Sequence, residues 1–241
     1  MSALSTTTTT NRYSSDSGSS ISSNLTDDTK TSLAAALDTA SFSWVAWFCS
    51  LKGNAMLCQV DRSYLEDAFN FAGLEELVPC FAQAMDIILD VQRDSGSTTD
   101  SIDRMSEDQR DIIESAAELL YGLVHQRFIL STRGLKRMYD KYKACGFGRC
   151  HRVYCRGQPV LPVGQSDVPG KTTVNVYCPR CKDIYFPQVA SDGNIDGAFF
   201  GTSFPSLFLL RYPNLVPSLP VETFVPRIYG FKVHYSSPLN K

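Results

Sequence analysis

Apolar side chains recur at helical spacing through the middle of the chain. Between residues 112 and 124 they fall three and four positions apart, which places them on one broad face of a helix. Ser106 and Gln109 precede this run with the spacing of a capping box, in which two side chains satisfy free N–H groups at a helix start. The pattern therefore predicts a long helix that is interrupted near Gly134 and then repeats as far as residue 145.

Shorter apolar runs precede the long helix. Residues 43–51 contain two tryptophans, a phenylalanine and a leucine, and leaving them in water would be so unfavourable that we expect them to pack. Residues 61–89 have the spacing of short helices, one of them ending at Pro79. Together these runs predict an all-helical domain over residues 41–145.

The pattern changes after Gly146 to short β-branched runs among prolines and glycines. Residues 160–163 and 174–177 are typical of the two strands of a hairpin. The predicted fold class is α+β, with the helical domain followed by a β domain over residues 146–204. An extended C-terminal segment, residues 205–241, completes the order.

The N-terminal segment, residues 1–40, is dominated by serine and threonine. So few apolar groups cannot offset the entropy lost on folding, and the segment is predicted to be a disordered tail. Its hydroxyl groups near Asp16, Asp27 and Asp28 are candidate phosphorylation sites, which would make the chain a phosphoprotein. A plain solvated tail is the alternative.

Charge and composition narrow the class of protein. The 241 residues carry 23 basic and 25 acidic side chains, a formal charge of −2, so no overall electrostatic attraction to nucleic acid or an anionic membrane is expected. We find no apolar run of about 18 residues and no pattern of a signal peptide. These features predict an intracellular protein, in which thiols stay reduced. The expected location is the cytoplasm and nucleus.

Five of the eight cysteines lie within one short region. Four of them, Cys150, Cys155, Cys178 and Cys181, form a C-x4-C and a C-x2-C knuckle separated by 22 residues. Four thiolates arranged in two such knuckles predict a closed, structural zinc site in a zinc ribbon, with one zinc per chain. Neighbouring His151 and Cys145 are interpreted as a surface imidazole and a bystander thiol.

Patterns of a catalytic protein are absent from the sequence. The chain has no H-R-D and no D-F-G triplet, so it is not a protein kinase of the ordinary type. Residues 169–173 resemble the end of a phosphate-binding loop, but the glycine spacing is wrong and the segment lies inside the spacer between the knuckles. The expected function is therefore non-catalytic, and no catalytic residue is predicted.

Several stretches together resemble the regulatory beta subunit family of casein kinase II. They are residues 44–54 (Trp-Val-Ala-Trp-Phe-Cys-Ser-Leu-Lys-Gly-Asn), 117–125 (Ala-Glu-Leu-Leu-Tyr-Gly-Leu-Val-His), 147–148, the four cysteines at their spacing, 196–202, and 224–234 (Phe-Val-Pro-Arg-Ile-Tyr-Gly-Phe-Lys-Val-His). The resemblance covers roughly residues 41–235. It implies a regulatory subunit that dimerises through its zinc ribbon and holds two catalytic subunits in a two-plus-two tetramer, with the C-terminal segment as the docking element.

Exposed apolar residues near the knuckles make dimerisation plausible. Val153 and Tyr154 lie in the first knuckle and Ile184 follows the second, and a small ribbon cannot bury all of them alone. A second ribbon is a natural cover. The alternative is that these side chains pack on the chain's own helices.

The C-terminal segment contains aromatic residues suited to anchoring a partner. If the segment is extended, alternation places Tyr229, Phe231 and Val233 on one side and Ile228 on the other, with Gly230 allowing a tight bend. Aromatic side chains of this kind are enriched at interface hot spots. Without the resemblance, an ordinary edge strand would also fit.

Two other functions stay open at this point. A cluster of basic residues before and within the first knuckle could serve a zinc-ribbon nucleic-acid-binding protein, although the overall charge makes nucleic acid an unexpected partner. A diverged dimeric paralogue that docks the kinase poorly is the other alternative, since the chain departs from the family pattern at residues 38–43, residues 90–108 and His151.

Overall fold

The computed structural model describes residues 43–91, 106–188, 194–218 and 224–234. These residues include six α-helices and five β-strands. All of these residues belong to one compact unit, Ala40–Lys241. The predicted tail of residues 1–40, with its candidate phosphorylation sites, lies outside them. Within the described ranges, none of the helices combines the length and the apolar composition that crossing a membrane requires.

The helices and strands follow one another in a mixed order. The helices are α1 (Trp44–Ser50), α2 (Arg62–Leu65), α3 (Phe81–Ile88), α4 (Glu107–Phe128), α5 (Thr132–Lys143) and α6 (Phe204–Arg211). The strands are β1 (Leu161–Val163), β2 (Asn175–Cys178), β3 (Asp183–Tyr185), β4 (Arg227–Ile228) and β5 (Phe231–Lys232). The mixed helix and sheet composition of the predicted fold class is thus present.

Helix α4 begins where the capping box predicts. The Ser106 side chain accepts the Gln109 N–H, and the Gln109 side chain accepts the Ser106 N–H. The break falls earlier than predicted, because α4 ends at Phe128 and Ser131 caps α5 through the N–H of Gly134. Gly134 lies inside α5, where a Cβ would come within 2.0 Å of the Phe128 carbonyl oxygen, so glycine is needed for close approach rather than for interruption.

Aromatic side chains pack α1 against α4. The ring of Trp44 stacks on Phe48 at 4.8 Å between centroids, and Phe48 meets the edge of Tyr121 at 5.4 Å. Helix α3 buries Ala84 and Ile88. The packing predicted for residues 43–51 is incomplete, however, because the Trp47 side chain stays 53% exposed.

Two buried polar side chains of α4 form hydrogen bonds with the backbone of residues 57–60. The Tyr121 hydroxyl donates to the carbonyl of Cys58 at 2.9 Å and accepts the N–H of Val60 at 3.1 Å. His125 Nδ1 lies 2.8 Å from the Phe199 carbonyl oxygen and must donate to it, so Nε2 accepts the N–H of Cys58 at 3.1 Å. Burial lowers the pKa of His125 to about 4, which keeps the imidazole neutral.

A three-stranded antiparallel sheet forms the β domain, in the order β1-β2-β3. Leu161 pairs with Tyr177, and Val176 pairs with Tyr185 in the register. The first two strands agree with the hairpin that the β-branched runs predict. The third strand, β3, was not predicted, because Asp183–Tyr185 is too short to give a periodic signal.

The β domain packs directly on the helices. The turn Gly197–Phe199 lies against α4 so closely that a Cβ on Gly122 would come within 2.2 Å of the Phe199 ring. Helix α6 buries Phe204 and Phe208, and Phe208 lies 5.7 Å from the ring of Tyr142 on α5. The buried side chains of helices and sheet form one continuous cluster.

Candidate metal centre and docking surfaces

The first knuckle is a tight loop closed by backbone hydrogen bonds. The Cys150 N–H donates to the Gln158 carbonyl at 2.8 Å, so the two ends of the loop stay together. Arg156 and Gly157 both have positive φ, 51° and 70°, and they turn the chain back after Cys155. This conformation brings the Cys150 and Cys155 side chains to one side of the loop.

The second knuckle joins β2 to β3. Cys178 is the last residue of β2, and its carbonyl accepts the Lys182 N–H at 2.9 Å. Lys182 has a φ of 57° and reverses the chain into β3. Sheet pairing therefore fixes where Cys178 and Cys181 lie relative to the first knuckle.

The four cysteine sulfur atoms converge, all lying within 4.8 Å of one another. Two Sγ–Sγ distances across the knuckles, Cys150 to Cys181 and Cys155 to Cys178, are both 3.9 Å. A tetrahedral ion with metal–sulfur bonds of about 2.3 Å needs sulfur atoms about 3.8 Å apart. The four cysteines can therefore hold one metal ion, and their geometry and thiolate chemistry are consistent with zinc.

The electrostatics of the cluster favour a bound cation. Burial raises the pKa of the Cys155 thiol to about 11 and also raises the pKa of Cys178. Burial acts in the same direction on Cys181, but hydrogen bonds from Tyr185 and the other cysteines outweigh it and lower its pKa to about 7. Four neighbouring thiols cannot all ionise without a counter-charge, and a divalent cation supplies it.

Tyr185 lies beside the most exposed of the four thiols. Its hydroxyl group is 3.3 Å from the sulfur of Cys181. The His151 ring lies 5.8 Å from the Tyr185 ring, and neither His151 nor Cys145 is part of the sulfur cluster. Sequence reasoning missed this role of Tyr185; its position four residues after Cys181, at the end of β3, was the available signal.

The ribbon residues predicted to contact a second copy are only partly covered. Val153 is 84% exposed and Ile184 is 42% exposed, while Tyr154 is half-buried. Phe186, just after β3, is 78% exposed as well. The chain's own helices therefore do not cover Val153 or Ile184.

The C-terminal segment forms a two-stranded hairpin. Ile228 pairs with Phe231, and Tyr229 and Gly230 form the turn with φ of 49° and 85°. Positive φ at both central residues is the signature of a type I′ turn. The bend predicted at Gly230 is present, but Tyr229 lies in the turn rather than on a strand.

The faces of the hairpin differ from the predicted alternation. Directly opposed residues in an antiparallel pair point to the same side, so Ile228 shares a face with Phe231 instead of lying opposite it. The Val233 N–H donates to the Pro226 carbonyl at 3.0 Å, which extends this apolar face by one pair. Arg227 and Lys232 pair on the other face. The hairpin is amphipathic.

The apolar face and the turn are both open to solvent. Ile228 is 48% exposed, Phe231 is 80% exposed and Tyr229 is 97% exposed, whereas Val233 is half-buried. Tyr229 also adopts a left-handed conformation, which costs an L-residue about 1 kcal/mol. A residue held in such a conformation is a candidate functional residue.

The arrangement defines a class of protein before any comparison is made. The described part of the chain combines helices with a four-cysteine ribbon, and it exposes apolar side chains on the ribbon, on the C-terminal hairpin and on the helical region. A closed four-sulfur site holds loops together and leaves no coordination position for a substrate. These features define a mixed helix-and-ribbon protein with a structural metal centre.

Comparison with known families then gives the particular one. The family described as casein kinase II regulatory subunit matches residues 43–232. The chain belongs to the casein kinase II regulatory, or beta, subunit family. The resemblance in the sequence is confirmed.

Several relatives come from distant organisms. The putative casein kinase II subunit beta-4 of Arabidopsis thaliana is 53% identical over 192 residues, which cover 80% of this chain and 66% of the relative. The casein kinase II subunit beta of Dictyostelium discoideum is 46% identical over 87% of this chain and 75% of its own length. The corresponding protein of Schizosaccharomyces pombe is 46% identical over 82% of each chain. The chain thus spans just under two thirds of the Arabidopsis relative.

Proposed function

We propose that this chain is a non-catalytic regulatory subunit of a Ser/Thr protein kinase of the casein kinase II type. It dimerises through a ribbon that contains one structural zinc ion per chain. Each chain docks one catalytic subunit, giving a two-plus-two tetramer that stabilises and modulates the kinase. The main support is the match to the casein kinase II regulatory subunit family over residues 43–232. Apolar residues exposed on the ribbon and on the C-terminal hairpin supply surfaces for the two contacts.

The ribbon supplies the contact with a second copy. Val153 and Ile184 project from the knuckles, and both stay exposed within one chain. The four cysteines would hold zinc, which fixes the knuckles and therefore the shape of this surface. Homodimer contacts are typically apolar at their centre, and this surface fits that chemistry.

The hairpin supplies the contact with the catalytic subunit. Its apolar face of Ile228, Phe231 and Val233 would lie on the kinase, and Tyr229 would project from the turn into it. Aromatic anchors bury a large area with few rotatable bonds, so little entropy is lost on binding. Arg227 and Lys232, on the opposite face, would remain in water.

The chemistry of the buried groups supports a non-catalytic role. His125 has both ring nitrogens occupied by backbone partners, and burial lowers its pKa, so it is unsuited to proton transfer with a substrate. The four-thiolate site would be structural. Phosphotransfer would belong entirely to the partner subunit.

The nucleic-acid alternative has weaker support. Asp61 accepts hydrogen bonds from both Arg133 and Arg137, and Lys136 pairs with Asp140 at 2.5 Å. Part of the basic cluster is therefore balanced by carboxylates within the chain. The paralogue alternative, with poor docking, is disfavoured because the hairpin exposes Ile228 and Phe231 on one apolar face. The cytoplasm and nucleus remain the proposed location.

The experiment uses the full chain and a purified casein kinase II catalytic subunit. Sedimentation velocity is expected to show a dimer for the chain alone and a two-plus-two complex after mixing. Phosphotransfer from ATP to a peptide is expected only when the catalytic subunit is present, at a rate that the chain changes. A monomeric chain, or ATP-dependent activity of the chain alone, would overturn the proposal.

A further inference from the structure

A cleft opens where α1, α3 and α4 meet, and its lining includes no residue of the ribbon or the hairpin. Its volume is about 450 Å³. The lining residues are Trp44 and Trp47 from α1, Ile87 from α3, and Arg110, Ile113, Glu114 and Glu118 from α4. The cleft therefore combines an aromatic wall, an aliphatic floor and a charged rim.

The aromatic wall is built from the two tryptophans. Trp44 is fixed in place, because it stacks on Phe48 and its backbone N–H donates to the Asp90 carboxylate at 3.0 Å. Trp47 lies 6.2 Å from Trp44 between ring centroids, at an interplanar angle of 55°. Since Trp47 is 53% exposed, an indole face remains available to a ligand.

The rim carries more negative than positive charge. Glu114 and Glu118 lie one turn apart on α4, and they face a single guanidinium, that of Arg110, among the lining residues. Partial burial raises the pKa of Glu118, and repulsion from Glu114 raises it further. The carboxylate of Asp90 adds negative charge beside Trp44. A cation entering the cleft would relieve this repulsion.

These properties select one kind of occupant. An anion would be repelled by the carboxylates, and a purely apolar segment would bury Glu114 and Glu118 without compensation. A guanidinium can stack on indole faces and bond a carboxylate in a bidentate manner, which an ammonium group cannot do. The aliphatic floor of Ile87 and Ile113 suits the apolar neighbours of such a side chain.

We propose that the cleft of Trp44, Trp47, Glu114 and Glu118 binds an arginine side chain of a partner polypeptide, within a segment that also carries apolar residues. The site is independent of the dimer and kinase contacts proposed above, since it uses α1 and the first half of α4. It would give the subunit a second docking surface for proteins with basic segments.

The two tryptophans of the cleft are the only two in the chain, so intrinsic fluorescence reports on this site directly. The probe is the acetylated and amidated peptide Leu-Arg-Arg-Leu, titrated into the full chain. Its control replaces both arginines with citrulline, which keeps the shape and removes the charge. A saturable change in tryptophan emission is expected with the arginine peptide, and its affinity should exceed that of the citrulline peptide by at least about tenfold.

Matched variants separate a specific site from general attraction. Glu114→Gln with Glu118→Gln removes two charges from the cleft and keeps both tryptophans, whereas Glu75→Gln with Glu76→Gln removes two charges from exposed residues elsewhere. The first variant should bind about tenfold more weakly, and the second should stay within about twofold of the parent. The proposal is overturned by no saturable change, by equal binding of the citrulline peptide, or by equal losses in the two variants.

Discussion

Tyr121 and Tyr229 are the same residue in opposite environments. Tyr121 on α4 is fully buried, and its hydroxyl group bonds the backbone of Cys58 and Val60. Tyr229 in the hairpin turn is 97% exposed and has a left-handed backbone. The first tyrosine completes the structure of its own chain, while the second is the proposed anchor for a partner.

The same contrast extends to the regions around the two tyrosines. In the helical region the polar groups of Tyr121 and His125 all have partners inside the chain. On the ribbon and the hairpin, apolar side chains such as Val153 and Phe231 are exposed to solvent, as Phe69 and Leu77 of the helical region also are. The difference predicts that changes at the buried Tyr121 and His125 alter stability, whereas changes in the exposed hairpin alter association.

The largest effect is expected from Cys178→Ser, which removes one of the four thiolates. Because a structural zinc site contributes on the order of 10 kcal/mol to folding, the ribbon should lose its metal and its fixed shape. Elemental analysis should find less than one zinc per chain, and sedimentation equilibrium should find a monomer. Cys80→Ser, at an exposed cysteine outside the cluster, is the matched control and should keep both properties. A dimeric, zinc-containing Cys178→Ser protein would contradict the assignment.

Tyr121→Phe tests the buried side of the comparison. Loss of the hydroxyl group leaves the Val60 N–H and the Cys58 carbonyl without this partner in a buried region, and the free energy of unfolding should fall by about 3 kcal/mol. Urea unfolding measures this change. Tyr229→Phe removes the same oxygen atom from the hairpin and should alter the unfolding free energy by less than about 0.5 kcal/mol. Similar losses in both variants would remove the distinction.

His125 is expected to lower the free energy of unfolding by about 2 kcal/mol between about pH 7 and about pH 5. Its pKa is about 4 in the folded chain against an ordinary value of 6.5, so the unfolded chain binds its proton first as the pH falls. The contribution of neutral His125 to stability is complete above pH 6.5 and is lost progressively as the pH falls toward 4. Urea unfolding at about pH 7 and about pH 5 should show the decrease. In His125→Gln the decrease should be smaller by that amount, and an unchanged pH dependence would exclude His125 as its source.

Local chemistry explains which parts of the fold the sequence could predict. The start of α4 was predictable because the capping box of Ser106 and Gln109 needs no other part of the chain. The end of α4 was not, because it depends on how closely Gly134 approaches Phe128. Trp47 was expected to pack, and its exposure follows from the way α1 lies on α4 and α3.

The candidate site shows the same division. The spacing of the two knuckles was enough to predict that the four cysteines form one cluster, because two short turns determine most of its geometry. The hairpin faces were mispredicted, because a tyrosine is an unusual residue at the first position of a type I′ turn. Because Tyr229 lies in the turn, Ile228 lies on the same face as Phe231. The sequence offered no signal for this arrangement.

The central claim is that the chain associates with a catalytic subunit through the hairpin and with itself elsewhere. The most direct test compares two double variants. The hairpin variant combines Tyr229→Ala and Phe231→Ala. The control combines Phe69→Ala and Leu77→Ala, which removes two exposed apolar side chains from the helical region. Calorimetric titration with the catalytic subunit should show a loss of about thirty- to a thousandfold in affinity for the hairpin variant and no loss for the control. Sedimentation should show that both remain dimers. Undiminished kinase binding by the hairpin variant, or loss of its dimer, would contradict the account.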